Sequence, residues 1–259
     1  MNSQNIMVYH RWQEDAVHKI TVDRNADTFR ERFPAIMVVT GNYINTVENG
    51  LPANIDAFEK IETRFSDLFS LEPKGIFRRL FRPRSVYAGS NVGESKMVYF
   101  CYGAAAELQS FAPLRTILGE FKELVDCKIQ IAIDKPWENF YRILHPGIGL
   151  QSLLLARAQV DLRRKNGDKV DVPREVNHEF LFNTSKDRTR FTRWVNKRWD
   201  NAKIRVAKPE DSKYGLTVTI IHPVDEITVD LFVYEFSHRA GHVNGDYDGF
   251  GAYEVSGSG

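Results

Sequence analysis

Hydrophobic positions along the chain switch repeatedly between a period of two and a period near 3.6. Residues 33–40 (FPAIMVVT) form a compact β-rich run. Over 55–69, Phe58, Ile61, Phe65, Leu68 and Phe69 recur three and four apart, which predicts an amphipathic helix with one buried stripe. Strands are expected at 85–90 and 96–102 around a turn at 91–95. A helix follows over 106–124, which Pro113 should kink or split because proline removes a backbone donor. Residues 128–134 (KIQIAID) alternate as a half-buried strand does, and a hairpin is expected at 10–23, ahead of the whole pattern.

The second half repeats the order. A helix over 150–164 stops at Asn166-Gly167, where glycine supplies the left-handed conformation. Residues 176–182 read as a strand with Val176, His178, Phe180 and Phe182 on one face. Thr184 or Ser185 can cap a helix that runs to 198, with Asp187 in its first turn and a core stripe of Phe191, Trp194, Val195 and Trp199. Strands at 202–207 and 216–222, a helix over 225–239 and a strand over 247–255 complete it. Both halves thus read β-α-β-β-α-β. The expected fold class is α+β: two tandem ferredoxin-like (split βαβ) sandwiches joined by a linking helix, each a four-stranded antiparallel sheet with two helices on one face. The expected divisions are 1–145, a linking helix and lead-in at 146–174, and 175–255. Residues 256–259 (SGSG) read as an appended linker.

Composition narrows the function classes. A hydrophobic content of 42% over 259 residues is enough to bury a core in each half. Lys plus Arg is 35 against 34 Asp plus Glu, so no global field draws the chain to nucleic acid or anionic lipid. No apolar run approaches the roughly 20 residues that span a bilayer, and the first residues lack a signal-peptide pattern, so a cytoplasmic protein is expected. Cys101 and Cys127 show no metal-like spacing and are both expected to be small buried hydrophobes. Phosphate-loop, dinucleotide, hydrolase-elbow and zincin motifs are absent. His238 and His242, four apart, could share a metal, but Gly241 is expected to interrupt their helix. No cofactor, metal or catalytic residue is expected.

Two resemblances add to this reading. Trp12, Asn49-Gly50-Leu51-Pro52, Val86-Tyr87-Ala88-Gly89, Met97-Val98-Tyr99-Phe100-Cys101-Tyr102 and Asp134-Lys135-Pro136-Trp137 make the first half similar to the family catalogued as domain of unknown function 695. That family implies boundaries but no chemistry. Gly167-Asp168, Pro173-Arg174-Glu175-Val176-Asn177-His178 and Tyr247-Asp248-Gly249-Phe250 make the second half resemble the regulator of ribonuclease E activity B. That resemblance implies a non-enzymatic protein that binds and restrains a ribonuclease, so the implied partner is a nuclease. RNA is not favoured and no membrane is involved. An immunity protein that neutralises a toxin nuclease, and an RNA-processing or hydrolytic enzyme working between the domains, are the alternatives.

Asp168, Pro173, Arg174, His178, Tyr247, Asp248 and Gly249 are the family-motif positions, and a structural role is expected for them. His178 alternates with phenylalanines on a core face and should hydrogen-bond to Asp168, Tyr247 or Asp248. Lys186, Arg190, Arg193 and Lys197 are spaced four, three and four, which places them on one helix face as a partner-docking stripe or a solvated one. The run 74–84 (KGIFRRLFRPR), with Arg78, Arg79 and Arg82, is a second candidate: a basic, aromatic loop that could grip phosphates and bases, or tuck its rings under the sheet.

Overall fold

The computed structural model describes residues 6–13, 16–47, 50–69, 85–109, 112–122, 124–207 and 213–255. The basic loop with Arg78, Arg79 and Arg82 lies outside the described residues, as does the 256–259 tail. The chain is mixed α and β with two antiparallel sheets, and it divides into two compact units, Met1–His145 and Pro146–Gly259.

The first unit runs β1 (Ile6–Gln13), β2 (Ala16–Asp23), β3 (Ala35–Tyr43), α1 (Ile55–Phe69), β4 (Ser85–Gly93), β5 (Lys96–Gly103), α2 (Ala105–Leu108), α3 (Ala112–Gly119) and β6 (Leu124–Ile133). Its sheet has six strands, in the order β1-β2-β4-β5-β3-β6, where four were expected. The hairpin is the difference: β2 pairs with β4 and extends the sheet by two strands. The expected helix over 106–124 is split as Pro113 requires, and it ends at Gly119 so that β6 begins already at Leu124.

On one sheet face, Phe58, Ile61 and Phe65 of α1 pack on Met37, Val39 and Tyr99. The opposite face is also covered, by short turns at 26–29 and 140–144 that pack against β4. There Trp137 stacks on Tyr102 at 3.8 Å and donates its indole N–H to the Phe33 carbonyl at 2.8 Å. Burial on both faces explains why all nine residues of β4 are buried. Gly89 is required within it, because a Cβ there would lie 2.1 Å from the Thr21 carbonyl oxygen. Among the described residues β6 has one neighbour, β3, and it is largely exposed, which overturns the burial expected for Cys127, while Cys101 is buried as expected.

The second unit runs α4 (Leu150–Lys165), β7 (Arg174–Phe182), α5 (Ser185–Arg198), β8 (Lys203–Val206), β9 (Tyr214–His222), α6 (Glu226–Gly241) and β10 (Gly245–Ala252), with sheet order β10-β7-β9-β8. Thr184 caps α5 by accepting the Asp187 N–H at 3.1 Å, and Asp225 caps α6 by accepting from Thr228 at 3.0 Å. α6 extends two residues beyond the expected Arg239 and ends at Gly241, with His242 as its C-cap. The core lies between the sheet and α5 and α6, where Phe180 and Phe182 meet Phe191 and Phe236. α4, read from sequence as a connector, packs on α6 and β10 and so belongs to this unit.

Candidate functional site

The family-motif residues gather in the second unit, in two clusters and a groove. The first cluster is a line of hydrogen bonds within the core. The His222 Nδ1 lies 2.6 Å from the Pro223 carbonyl, which can only accept, so this nitrogen carries a proton. Nε2 of neutral His222 is then an acceptor and takes the N–H of His178 Nε2 at 3.0 Å. His178 Nδ1, left as an acceptor, receives the Tyr247 hydroxyl proton at 2.9 Å. One tautomer of each ring satisfies every partner, with both histidines neutral.

Position and electrostatics agree with that assignment. His178 is 1% exposed, and His222 stacks on Phe232 at 4.1 Å. Burial, reinforced by the neighbouring His222, holds His178 well below the ordinary histidine range. Burial lowers His222 to about 4, against the opposing pull of the Pro223 carbonyl and Asp225. Burial of the Tyr247 hydroxyl and the charge of Glu179 push that phenol well up. Each proton of the line is held in a hydrogen bond to the next member. Tyr247→Phe is therefore expected to cost about 1–3 kcal/mol by orphaning His178 Nδ1. Urea melts of the two proteins check this, and an unchanged midpoint would mean that the Tyr247 hydroxyl contributes nothing to stability.

The second cluster is a knot around Asp168. Its carboxylate, with no exposed side-chain surface, accepts from Arg174 at 2.6 Å, Arg163 at 3.0 Å and the Val255 N–H at 2.9 Å. Arg174 also donates to the carbonyls of Val172, Lys169 and Tyr253, and Arg163 donates to that of Ala252 at 2.7 Å. Burial works to raise the Asp168 carboxyl, but the hydrogen bonds from Arg174, Val255 and Arg163 outweigh it and hold it below the usual range. The knot ties the end of α4, the start of β7 and the end of β10 together.

Of the three partners expected for His178, the structure brings only Tyr247 to it. Asp168 is occupied by arginines. Asp248 is exposed at the point where a bulge shifts the β10–β7 register between Tyr247 and Gly249. Gly249 takes a φ of +132°, which favours glycine, and Pro173 is exposed in the turn before β7. Lys186, Arg190, Arg193 and Lys197 all lie exposed on α5, Arg190 within 3.8 Å of Asp187. His238 and His242 approach with ring centroids 4.4 Å apart, but no group of three metal-ligating side chains occurs among the described residues.

Sequence reading passed over His222, although it continues the period-two core face of Leu216, Val218 and Ile220. It also passed over the buried pair of Arg157 on α4 and Asp230 on α6. Asp230 is fully buried and accepts from Arg157 Nε at 2.9 Å. A groove of about 620 Å³ opens between α4 and β10, with Gln151, Ser152, Glu179, Ser237, Asp246 and Asp248 among its walls.

Among the described residues no helix is long and apolar enough to cross a membrane. Comparison with curated proteins finds no match. Comparison with family models leaves the resemblance of the first half to domain of unknown function 695 without support. Residues 157–252, from the middle of α4 to the last residue of β10, match the family described as "Regulator of ribonuclease activity B".

Proposed function

We propose that this chain is a non-enzymatic regulatory protein of the cytoplasm that restrains a ribonuclease of the ribonuclease E type by protein–protein contact through its second unit. The observation that carries the reading is the family match over 157–252, which coincides with a folded unit instead of a scattered motif. The enclosure of the His178 line supports it, since the residues most suggestive of chemistry are fixed in the core. Both β-α-β-β-α-β quartets, with strand orders β6-β3-β5-β4 and β10-β7-β9-β8, are in this reading ferredoxin-like. The first is a domain of the kind catalogued as 695.

The docking surface in this proposal includes the α5 stripe of Lys186, Arg190, Arg193 and Lys197, facing an acidic segment of the ribonuclease. Exposed charges steer encounters over roughly a Debye length of 8–10 Å. Reversing Lys186, Arg190 and Arg193 to Glu is expected to slow association with ribonuclease E, more at low salt, and to relieve inhibition of RNA cleavage in the same proportion. Surface plasmon resonance across a salt series, with a parallel cleavage assay, measures both. If the unaltered protein leaves ribonuclease E cleavage untouched, the functional reading fails. If inhibition survives the reversal at every salt concentration, only the stripe is withdrawn.

A further inference from the structure

Among the described residues the two sheets leave four edges, β1, β6, β10 and β8. An open edge is a template for another strand, so native sheets cover, shorten or charge theirs. Three of the four follow that rule. In β1, Met7, Tyr9, His10 and Arg11 are buried. β10 is clasped by α4, whose Gln159 and Arg163 bond the Phe250 and Ala252 carbonyls. β8 is four residues long and carries Lys203 and Arg205. β6 has no such protection. It runs for ten residues, eight of them exposed, and 129–133 reads Ile-Gln-Ile-Ala-Ile without a charge or a proline. Its bulge lies before Lys128, clear of this stretch.

Pairing with β3 fixes which backbone groups of β6 point outward. Asp134 donates its N–H to the Pro34 carbonyl at 2.8 Å, and opposite residues of an antiparallel ladder alternate between bonded and unbonded pairs. Ala132, Gln130 and Lys128 therefore bond to β3, while Ile129, Ile131 and Ile133 turn their N–H and C=O groups to the open edge. Their side chains share one face, with Ile131 36% and Ile133 65% exposed.

We propose that β6 is a self-association edge, pairing antiparallel with β6 of a second copy of this chain about a two-fold axis at Ile131. In that register Ile131 faces its own counterpart and Ile129 faces Ile133 of the other copy, so the outward groups of all three exchange hydrogen bonds. The isoleucines form one apolar row, in which cross-strand β-branched pairs stabilise the sheet. Lys128 stands opposite Asp134 of the second copy, unlike charges. Sliding one copy by two residues brings Asp126 towards Asp134, or in the other direction exchanges the Ile129–Ile133 pair for one with Lys135, beyond the end of the strand. A second copy is the occupant because the edge is its own complement in hydrogen bonds, side chains and charge. Residues 128–133 are few beside the roughly 20–30 a side of a standard interface, so the dimer is weak and forms with concentration. It belongs to the first unit and is independent of the ribonuclease reading.

The test is sedimentation velocity of the full chain between about 10 µM and about 1 mM, where weak contacts titrate, with amide hydrogen exchange by NMR over the same range. The mass is expected to rise from monomer towards dimer. Amides of Ile129, Ile131 and Ile133 should exchange quickly in dilute protein and slow with rising concentration, whereas those of Gln130 and Ala132, already bonded to β3, stay slow throughout. Ile131→Lys and Ile131→Glu are each expected to weaken the dimer by about tenfold or more, because the two-fold axis sets like charges face to face. Slow exchange at Gln130 and Ala132 in each variant checks that β6 still pairs with β3. Mixing the two variants should restore a dimer with one copy of each, which misfolded chains could not do. A monomeric mass at every concentration, a dimer whose outward amides stay unprotected, or a mixture of folded variants that remains monomeric would each overturn the proposal.

Discussion

Asp168→Ala is expected to lower the stability of the second unit by about 3–5 kcal/mol, the cost of breaking a buried ion pair from one side. The alanine would leave Arg163 and Arg174 facing each other without their shared carboxylate, and would release the Val255 N–H. Such a loss is a large part of the 5–15 kcal/mol that holds a domain folded. Hydrogen exchange followed on peptides from β7 and β10 reports this unit separately from the first. A change below about 1 kcal/mol would mean that the knot behaves as a screened surface pair.

Stability of the same unit is expected to fall as pH drops from about 6.5 towards 4. Unfolded histidine titrates near 6.5, whereas folded His222 is lowered to about 4. Between those values the unfolded chain binds more protons than the folded one, so the contribution is complete above the upper value and disappears towards the lower. For His222 alone the interval corresponds to about 3 kcal/mol, and His178, also lowered by burial, acts in the same direction. Protonating His222 Nε2 would set two N–H groups against each other across the 3.0 Å contact with His178. Asp168 does not confuse the window, because its carboxyl is held below its ordinary value of 3.8 and its loss falls at lower pH. Unfolding midpoints of the second unit, compared with those of His222→Gln, decide the matter. A flat profile between pH 7 and 4.5 in the parent protein would refute the neutral-pair assignment.

The elements of the second unit were legible because its periodicities are clean. Val176, His178, Phe180 and Phe182 alternate without interruption, and Thr184 and Asp187 announce the start of α5. The basic stripe could be read for the same reason, since helical spacing alone fixes which cations share a face. In the first unit, local pattern foretold the hairpin but not its place beside β4, which depends on contacts between residues about seventy apart, such as Lys19 and Val92. Cys127 was misjudged because an apolar alternation cannot reveal that a strand lies at the edge of a sheet. The knot was half visible: Asp168 and Arg174 stood out as motif residues. Arg163, three residues before the helix stop, looked like an ordinary solvated cation.

The hold of α4 on β10 has a consequence for how the second unit comes into being. Gln159 meets the Phe250 carbonyl 91 residues away, Arg163 meets Ala252 across 89, and Asp168 meets Val255 across 87. The first element of the unit is thus secured by its last, and loop-closure entropy must be overcome before those contacts give anything back. On the ribosome, Gln159, Arg163 and Asp168 wait for these partners until the 250–255 segment has emerged. A fragment that begins at β7 would lack the residues that clasp its own final strand.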